Sequence, residues 1–219
     1  SFEAKEAKFG ALYYPWVYCT TGGVKELVPP SGFIAGVMAQ TDRLYGVDKA
    51  PANMKIKGVV DLGTPPIIDR TLQDKLNPAG INCIRKFEDG DIKVWGSRTL
   101  SMETKWRFVN VRRIFLNIIK TLSKELLWTV FENNNSTLWM QIESTITSFF
   151  ETMAAKGMTA GTTAGDAFYV RCNEETNPKE VGDAGQVVAE VGVALSAPAE
   201  FIVITVKQTP ESLSIFEED

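Results

Sequence analysis

The sequence contains no histidine and only three cysteines in 219 residues. The first absence removes Ser-His and Cys-His nucleophile pairs and every metal site built on an imidazole. Cys19, Cys83 and Cys172 are widely separated, so no C-x-x-C knuckle forms. Three is also an odd number for a disulfide framework, and the reading is reduced, buried thiols. No apolar run approaches the roughly 20 residues that cross a bilayer, and the first residues show no signal-peptide pattern. The opening on Ser1 rather than Met reads as a C-terminal piece of a longer polypeptide. Neither a GxxxxGK[ST] phosphate loop nor a GxSxG nucleophile turn occurs. Gly157, Gly161 and Gly165 lie between an expected helix and an expected strand, the reverse of a dinucleotide fingerprint, and read as loop glycines.

Other candidate chemistry is equally thin. Glu88, Asp89 and Asp91 lack EF-hand spacing and read as a solvated hairpin tip. The sequons at Asn134 and Asn135 read as a helix start, because Asn and Ser cap exposed N–H groups. Trp16, Trp95, Trp106, Trp128 and Trp139 are expected in core packing rather than as a stacking platform for bases or sugars. No catalytic, cofactor-binding or metal-binding residue is assigned. With 23 Lys and Arg against 27 Asp and Glu, the net charge of −4 argues against general nucleic-acid binding.

That charge is unevenly placed. Residues 1–110 carry 15 basic and 12 acidic groups, whereas 111–219 carry 8 and 15. Between Lys105 and Glu125 six basic residues face one acid. Such a chain is either surfaced for solubility or complementary to copies of itself.

The patterning predicts a mixed α+β fold, a mixed sheet packed with an antiparallel helix pair. The aromatic run 11–19 reads as one strand ending at a TTGG turn. A helix is expected over 33–44 after Pro29-Pro30, and strands over 58–62, 82–87 and 92–95, the last two joined through Asp89-Gly90-Asp91. From Val111 to Leu127, Val111, Ile114, Phe115, Ile118, Ile119, Leu122 and Leu126 share one helical face. Arg113, Lys120 and Lys124 line up on the opposite face. After ENNNS, Leu138, Trp139, Ile142, Ile146, Phe149, Phe150 and Met153 repeat the pattern until Gly157. Strands are expected at 168–172, 186–195 and 201–206, and the tail beyond Pro210 reads as solvated. FIVITV (201–206) is either a core strand or a projecting strand that needs a partner.

Several stretches, in order, resemble the C-terminal domain of contractile tail sheath proteins, found in contractile-tailed bacteriophages, R-type pyocins and extracellular contractile injection systems. They are LYYPWV (12–17), VPPSG (28–32), AGVMAQTDRLYGVDKAPAN (35–53), LNPAGINCIR (76–85), VWGSRTL (94–100), WRFVNVRRIF (106–115), VFENNNSTLW (130–139), AFYVRCNEETNP (167–178) and EVGVALSAPAEFIVI (190–204). Asp48 stands where the family often has an aromatic, VALSAPAEF replaces APxxPAEF, and VFENN replaces VFEPN.

The resemblance implies a structural subunit without enzymatic activity or cofactor. Copies stack as hexameric rings around an inner tail tube and contract to drive it through a cell envelope. The implied partners are neighbouring sheath subunits, the tube, and baseplate and terminator proteins, with no direct nucleic-acid contact and no membrane insertion. The implied location is a virion tail or injection particle assembled in the bacterial host cytoplasm. Residues 1–198 would be the assembly core and 199–219 a strand-exchange arm, the other sheath domains lying upstream. The inter-subunit strand maps onto Phe201, Ile202, Val203, Ile204, Thr205, Val206, Lys207 and Gln208. Arg113, Lys120 and Lys124 are candidate tube or lattice contacts. The rival readings are a tube or baseplate component of the same machine, and a nucleotide-binding α/β enzyme domain.

Overall fold

Proline has no N–H to give a ladder, and Pro15 divides what reads as one strand. The computed structural model describes residues 5–161, 164–200, 204–208 and 213–217. It places β1 (Leu12–Tyr14) and β2 (Val17–Thr21) in different sheets. β2 turns through Gly22-Gly23, both at positive φ, into β3 (Val24–Val28). The helix expected after Pro30 is α1 (Ser31–Tyr45). β4 (Met54–Lys55), β5 (Val59–Leu62), α2 (Arg70–Leu76), β6 (Ile81–Lys86) and β7 (Ile92–Trp95) come next. Asp91 N–H donates to the Asp89 carboxylate at 2.8 Å and Gly90 takes φ 81°, which makes the expected β6–β7 turn.

Two sheets result. One has the order β1-β6-β7-β4, with β1 parallel to β6 and the other pairs antiparallel. The other is antiparallel, in the order β3-β2-β5. Val17, Ile34, Val37, Leu62, Ile84 and Val94 bring both sheets and α1 into a first core.

The second half builds its own core. α3 (Val109–Glu125) and α4 (Ser136–Ala155) extend the expected helices slightly at their starts. The Asn135 side chain accepts from Leu138 N–H at 3.0 Å, so the sequon is the helix cap it reads as. Ile114 and Ile118 of α3 meet Leu138, Ile142, Ile146 and Phe150 of α4. β8 (Phe168–Arg171) comes after the short helix α5 (Ala164–Ala167), and β9 (Glu190–Val193) after α6 (Lys179–Asp183). β8 and β9 pair antiparallel and close this core, with Phe168 stacked on Phe150 at 5.4 Å between ring centres. The fold class is the expected mixed α+β. The helix pair packs on this small sheet, while the mixed sheet meets α1.

The expectation for the tryptophans is corrected in part. Trp16 and Trp128 are exposed rather than packed in a core. Beyond Pro210 the structure adds a strand that the sequence reading did not name. β10 (Ile204–Gln208) pairs antiparallel with β11 (Leu213–Glu217), with Ile204 opposite Glu217 and Gln208 opposite Leu213. Leu213 and Ile215 alternate with Ser214, a strand signal diluted by the surrounding acids. Among the described residues this hairpin joins no other sheet.

Candidate assembly surfaces

The segment leading into β10 is fixed at Glu200. Arg98 Nε donates to Glu200 Oε1 and Oε2 at 2.9 and 3.0 Å, and Arg98 Nη2 also contacts Oε2. The two side chains are only 13% and 16% exposed, so the pair is largely withdrawn from water. A third Arg98 donor, Nη1, reaches the Asn77 carbonyl at 3.2 Å. The arginine backbone is held in turn by fully buried Asn82. Asn82 Oδ1 accepts from Arg98 N–H at 2.6 Å, and its amide donates to the Leu12 and Arg98 carbonyls. Gly96 permits this approach, because a Cβ there would lie 2.8 Å from Asn82 Oδ1. Residues 196–200 border a cleft of about 550 Å³ into which Asp48, Asn77, Ser97 and Asn110 also face. Of the proposed exchange strand, Phe201, Ile202 and Val203 lie outside the described residues. Ile204, Thr205, Val206, Lys207 and Gln208 form β10. β11 occupies one edge of that strand, and its other edge has no partner strand among the described residues.

The β8–β9 pair is a second surface with open backbone. Its alternation is plain: Phe168 and Val170 pack on the core, while Tyr169 and Arg171 face outward. The Tyr169 ring lies over Gly192, where a Cβ would come within 2.1 Å of Cε1. Tyr169 OH donates to Glu190 Oε1 at 3.2 Å. Met158 to Ala160 run beside residues 194–196, through a Thr159–Leu195 bridge and a bond from Ala160 N–H to the Ala194 carbonyl. Among the described residues β8 and β9 pair with no further strand.

α3 does not present its three in-line cations alike. Arg113 forms a two-pronged pair with Asp42 of α1 at 2.7 and 2.5 Å, so it ties the two halves of the chain together. Lys120 and Lys124 are exposed and make no ion pair among the described residues. Just beyond them the α3–α4 connection exposes Leu127, Trp128, Val130 and Phe131, with Met140 of α4 also exposed. Phe131 takes φ 69°, a left-handed conformation uncommon for a large side chain. Helical periodicity ends before this turn, so sequence reasoning missed the patch. The apolar run LLWTVF (126–131) was the available signal.

Cys83 and Cys172 are the buried thiols expected, whereas Cys19 is only half-buried, which corrects the reading for that residue. Burial pushes Cys83 up to about 11, against the opposing charge of Arg85. Cys172 is also raised, first by burial. No group of three or more Cys, Asp or Glu side chains able to hold a metal ion occurs among the described residues.

The family of phage tail sheath protein central domains matches residues 6–100, and that of phage tail sheath C-terminal domains matches residues 101–209. The chain is 34% identical to the sheath of PVC, an extracellular contractile injection system, in its contracted state. The TM-score is 0.84, with 93% of this chain and 57% of that one covered. Against the contracted helical sheath of the anti-feeding prophage AFP, identity is 36% and the TM-score 0.83, covering 91% and 56%. A tail sheath protein of Vibrio phage KVP40 is 27% identical over 195 residues, which is 87% of this chain and 28% of that protein. The chain thus spans little more than half of the solved relatives and under a third of the phage protein. With two consecutive sheath domains matched across nearly its whole length, this chain belongs to the phage tail sheath protein family.

Proposed function

We propose that this chain is the assembly-bearing part of a contractile tail sheath subunit. It polymerises as stacked hexameric rings around an inner tube and contracts to drive that tube through a cell envelope. The observation that carries the reading is the fold match to contracted sheaths over more than nine-tenths of the chain. The role is mechanical, and no bond-making step is assigned to any residue. Neighbouring copies are the main partners, with the tube and the baseplate and terminator proteins at the boundaries. The particle is a phage tail or an injection machine, assembled in the bacterial cytoplasm.

Residues 1–198 serve as the assembly core and 199–219 as the arm that links copies. Because Glu200 is bound to the body, the linking part of the arm is assigned to the residues beyond it. Its open β10 edge adds to a neighbour's strand edge, with backbone bonds worth about 1 kcal/mol each. Roughly four to six such bonds, with buried Ile and Val, hold copies together while rigid-body contacts change during contraction. β8–β9 is the receiving sheet that its open edges favour. Lys120 and Lys124 meet an acidic tube or neighbour, in contacts weak enough to release on firing. Arg113 belongs to that face by position, but its pairing with Asp42 makes it a positioning residue.

Electron microscopy of the full-length protein tests this. Hollow cylinders of stacked rings are expected, and dispersed single particles under all assembly conditions would contradict the reading. Reversal of Lys120 and Lys124 to Glu should leave the fold within about 0.5 kcal/mol of the parent and lower the yield of tube-filled sheaths. A normal yield removes the charge contact.

A further inference from the structure

Arg112 is a buried cation with no anion among the described residues. It is 7% exposed, its side chain makes no hydrogen bond or ion pair with any described residue, and its Nε is shut from solvent without a partner. Buried polar groups are normally paired, and an unpaired buried charge is costly. What surrounds this one is aromatic. The guanidinium carbon lies 4.2 Å from the Phe9 ring centre, 4.8 Å from that of Trp106 and 5.5 Å from that of Phe115. The rings hold the cation by their faces, Nε is shut in, and the two Nη groups keep some access to solvent without a protein partner among the described residues. Its neighbour Arg113 is satisfied by Asp42, so of the two only Arg112 lacks a carboxylate.

The cation faces a mostly apolar cleft of about 390 Å³, lined also by Phe9, Tyr13, Ile34, Met38 and Leu116. The Tyr13 hydroxyl is buried there and has no hydrogen-bond partner among the described residues either. Lys8 adds a further positive charge above the Phe9 and Trp106 rings. A planar cation and a phenol donor at an oily cleft suit one kind of ligand, a carboxylate carried beside a large apolar side chain.

The chain contains that pattern. Residues 209–219, TPESLSIFEED, hold four acids and no base, with Ile215-Phe216 set directly before Glu217-Glu218-Asp219. We propose that the Arg112 cleft of one copy receives the acidic tail of a second copy. A tail carboxylate sits on Arg112 and Tyr13, and Ile215 or Phe216 lies against Ile34, Met38 and Leu116. Charge complementarity selects this occupant. The inference rests on the sheath reading, which supplies a lattice of identical neighbours.

The probe is a fluorescently labelled peptide of residues 209–219, titrated into the full 219-residue chain with anisotropy as the readout. Saturable binding is expected, weakening as salt rises. It should fall at least tenfold in Arg112→Gln, and equally when Glu217, Glu218 and Asp219 of the peptide become amides. Tyr13→Phe should weaken it about threefold. The amide peptide leaves the protein untouched, so the test stands even if Arg112→Gln misfolds. No saturable binding, or equal binding of the amide peptide, overturns the proposal. Binding seen only after the chain is cut behind Glu200 supports it where the uncut chain runs as assembled copies, and overturns it where the uncut chain runs as a monomer, because the tail then fills its own cleft. Cylinders without peptide binding would refute this contact alone, whereas binding without cylinders would refute the sheath reading and spare the carboxylate site.

Discussion

Arg98 and Glu200 are 102 residues apart in sequence and share one nearly dry ion pair. Removing one partner of such a pair strands the other charge, which typically costs about 3 kcal/mol, whereas replacing both by apolar groups is often close to neutral. Arg98→Met should therefore lower the melting midpoint by roughly 6–12 °C, and Arg98→Met/Glu200→Leu should recover most of the loss. Calorimetry of the three proteins checks the order. The buried Cys83 thiol and the Tyr13 phenol give a pH dependence. Both hold their protons longer in the folded state, at about 11 and about 12 against ordinary values of 9.0 and 10.0, chiefly because burial disfavours their anions. Their contribution is complete below pH 9 and is lost as pH rises through 11 and 12, so urea midpoints should fall across that alkaline window. At neutral pH a thiol reagent should label Cys19 in the native chain and reach Cys83 and Cys172 only on unfolding. At this scale little was legible in advance. Arg98 and Glu200 stand inside visible motifs, yet no local spacing announces a pairing across half the chain. Arg112 reads as one more basic residue until its aromatic surroundings are seen.

The helices were the most legible elements, because a repeat every three or four residues is a local signal that tertiary context here reinforces. α4 carries it furthest. Phe150 is fully buried against Phe149 and Phe168, and Phe150→Ala should cost about 3–5 kcal/mol and melt the second core, seen as lost near-ultraviolet circular dichroism. Asn135→Ala should cost only about 1 kcal/mol, the usual worth of a helix cap. Strands were harder to read. The run 11–19 has uniform β character, and only the backbone consequence of Pro15 sends its halves to separate sheets. β11 was missed because charge near the tail outweighed a short period-two pattern. Ile119 shows the limit of periodicity even where it succeeds, since it belongs to the apolar stripe that packs Ile114 and Ile118 yet remains exposed. A helix presents its apolar stripe, and the neighbouring elements decide how much of that stripe is covered.

The whole molecule is organised as two cores, and their buried residues divide at the same place as the two family matches, near residue 100. The Arg113–Asp42 pair and Arg98–Glu200 join the halves from opposite directions in sequence. The body of the chain therefore has internal fastenings as far as Glu200, and the proposed arm is assigned to the residues beyond it. The charge asymmetry has a proposed use at this scale: the Arg112 cleft in the basic part of the chain would receive the acidic tail of a neighbouring copy. The most direct test compares the full-length protein with a version ending at Glu200, which keeps the Arg98 pair intact, by electron microscopy alongside thermal melting. The account predicts the same melting midpoint for both, cylinders from the full-length protein, and dispersed folded subunits from the shortened one. Cylinders of normal length from the shortened protein would show that copies do not need shared β-structure to hold together.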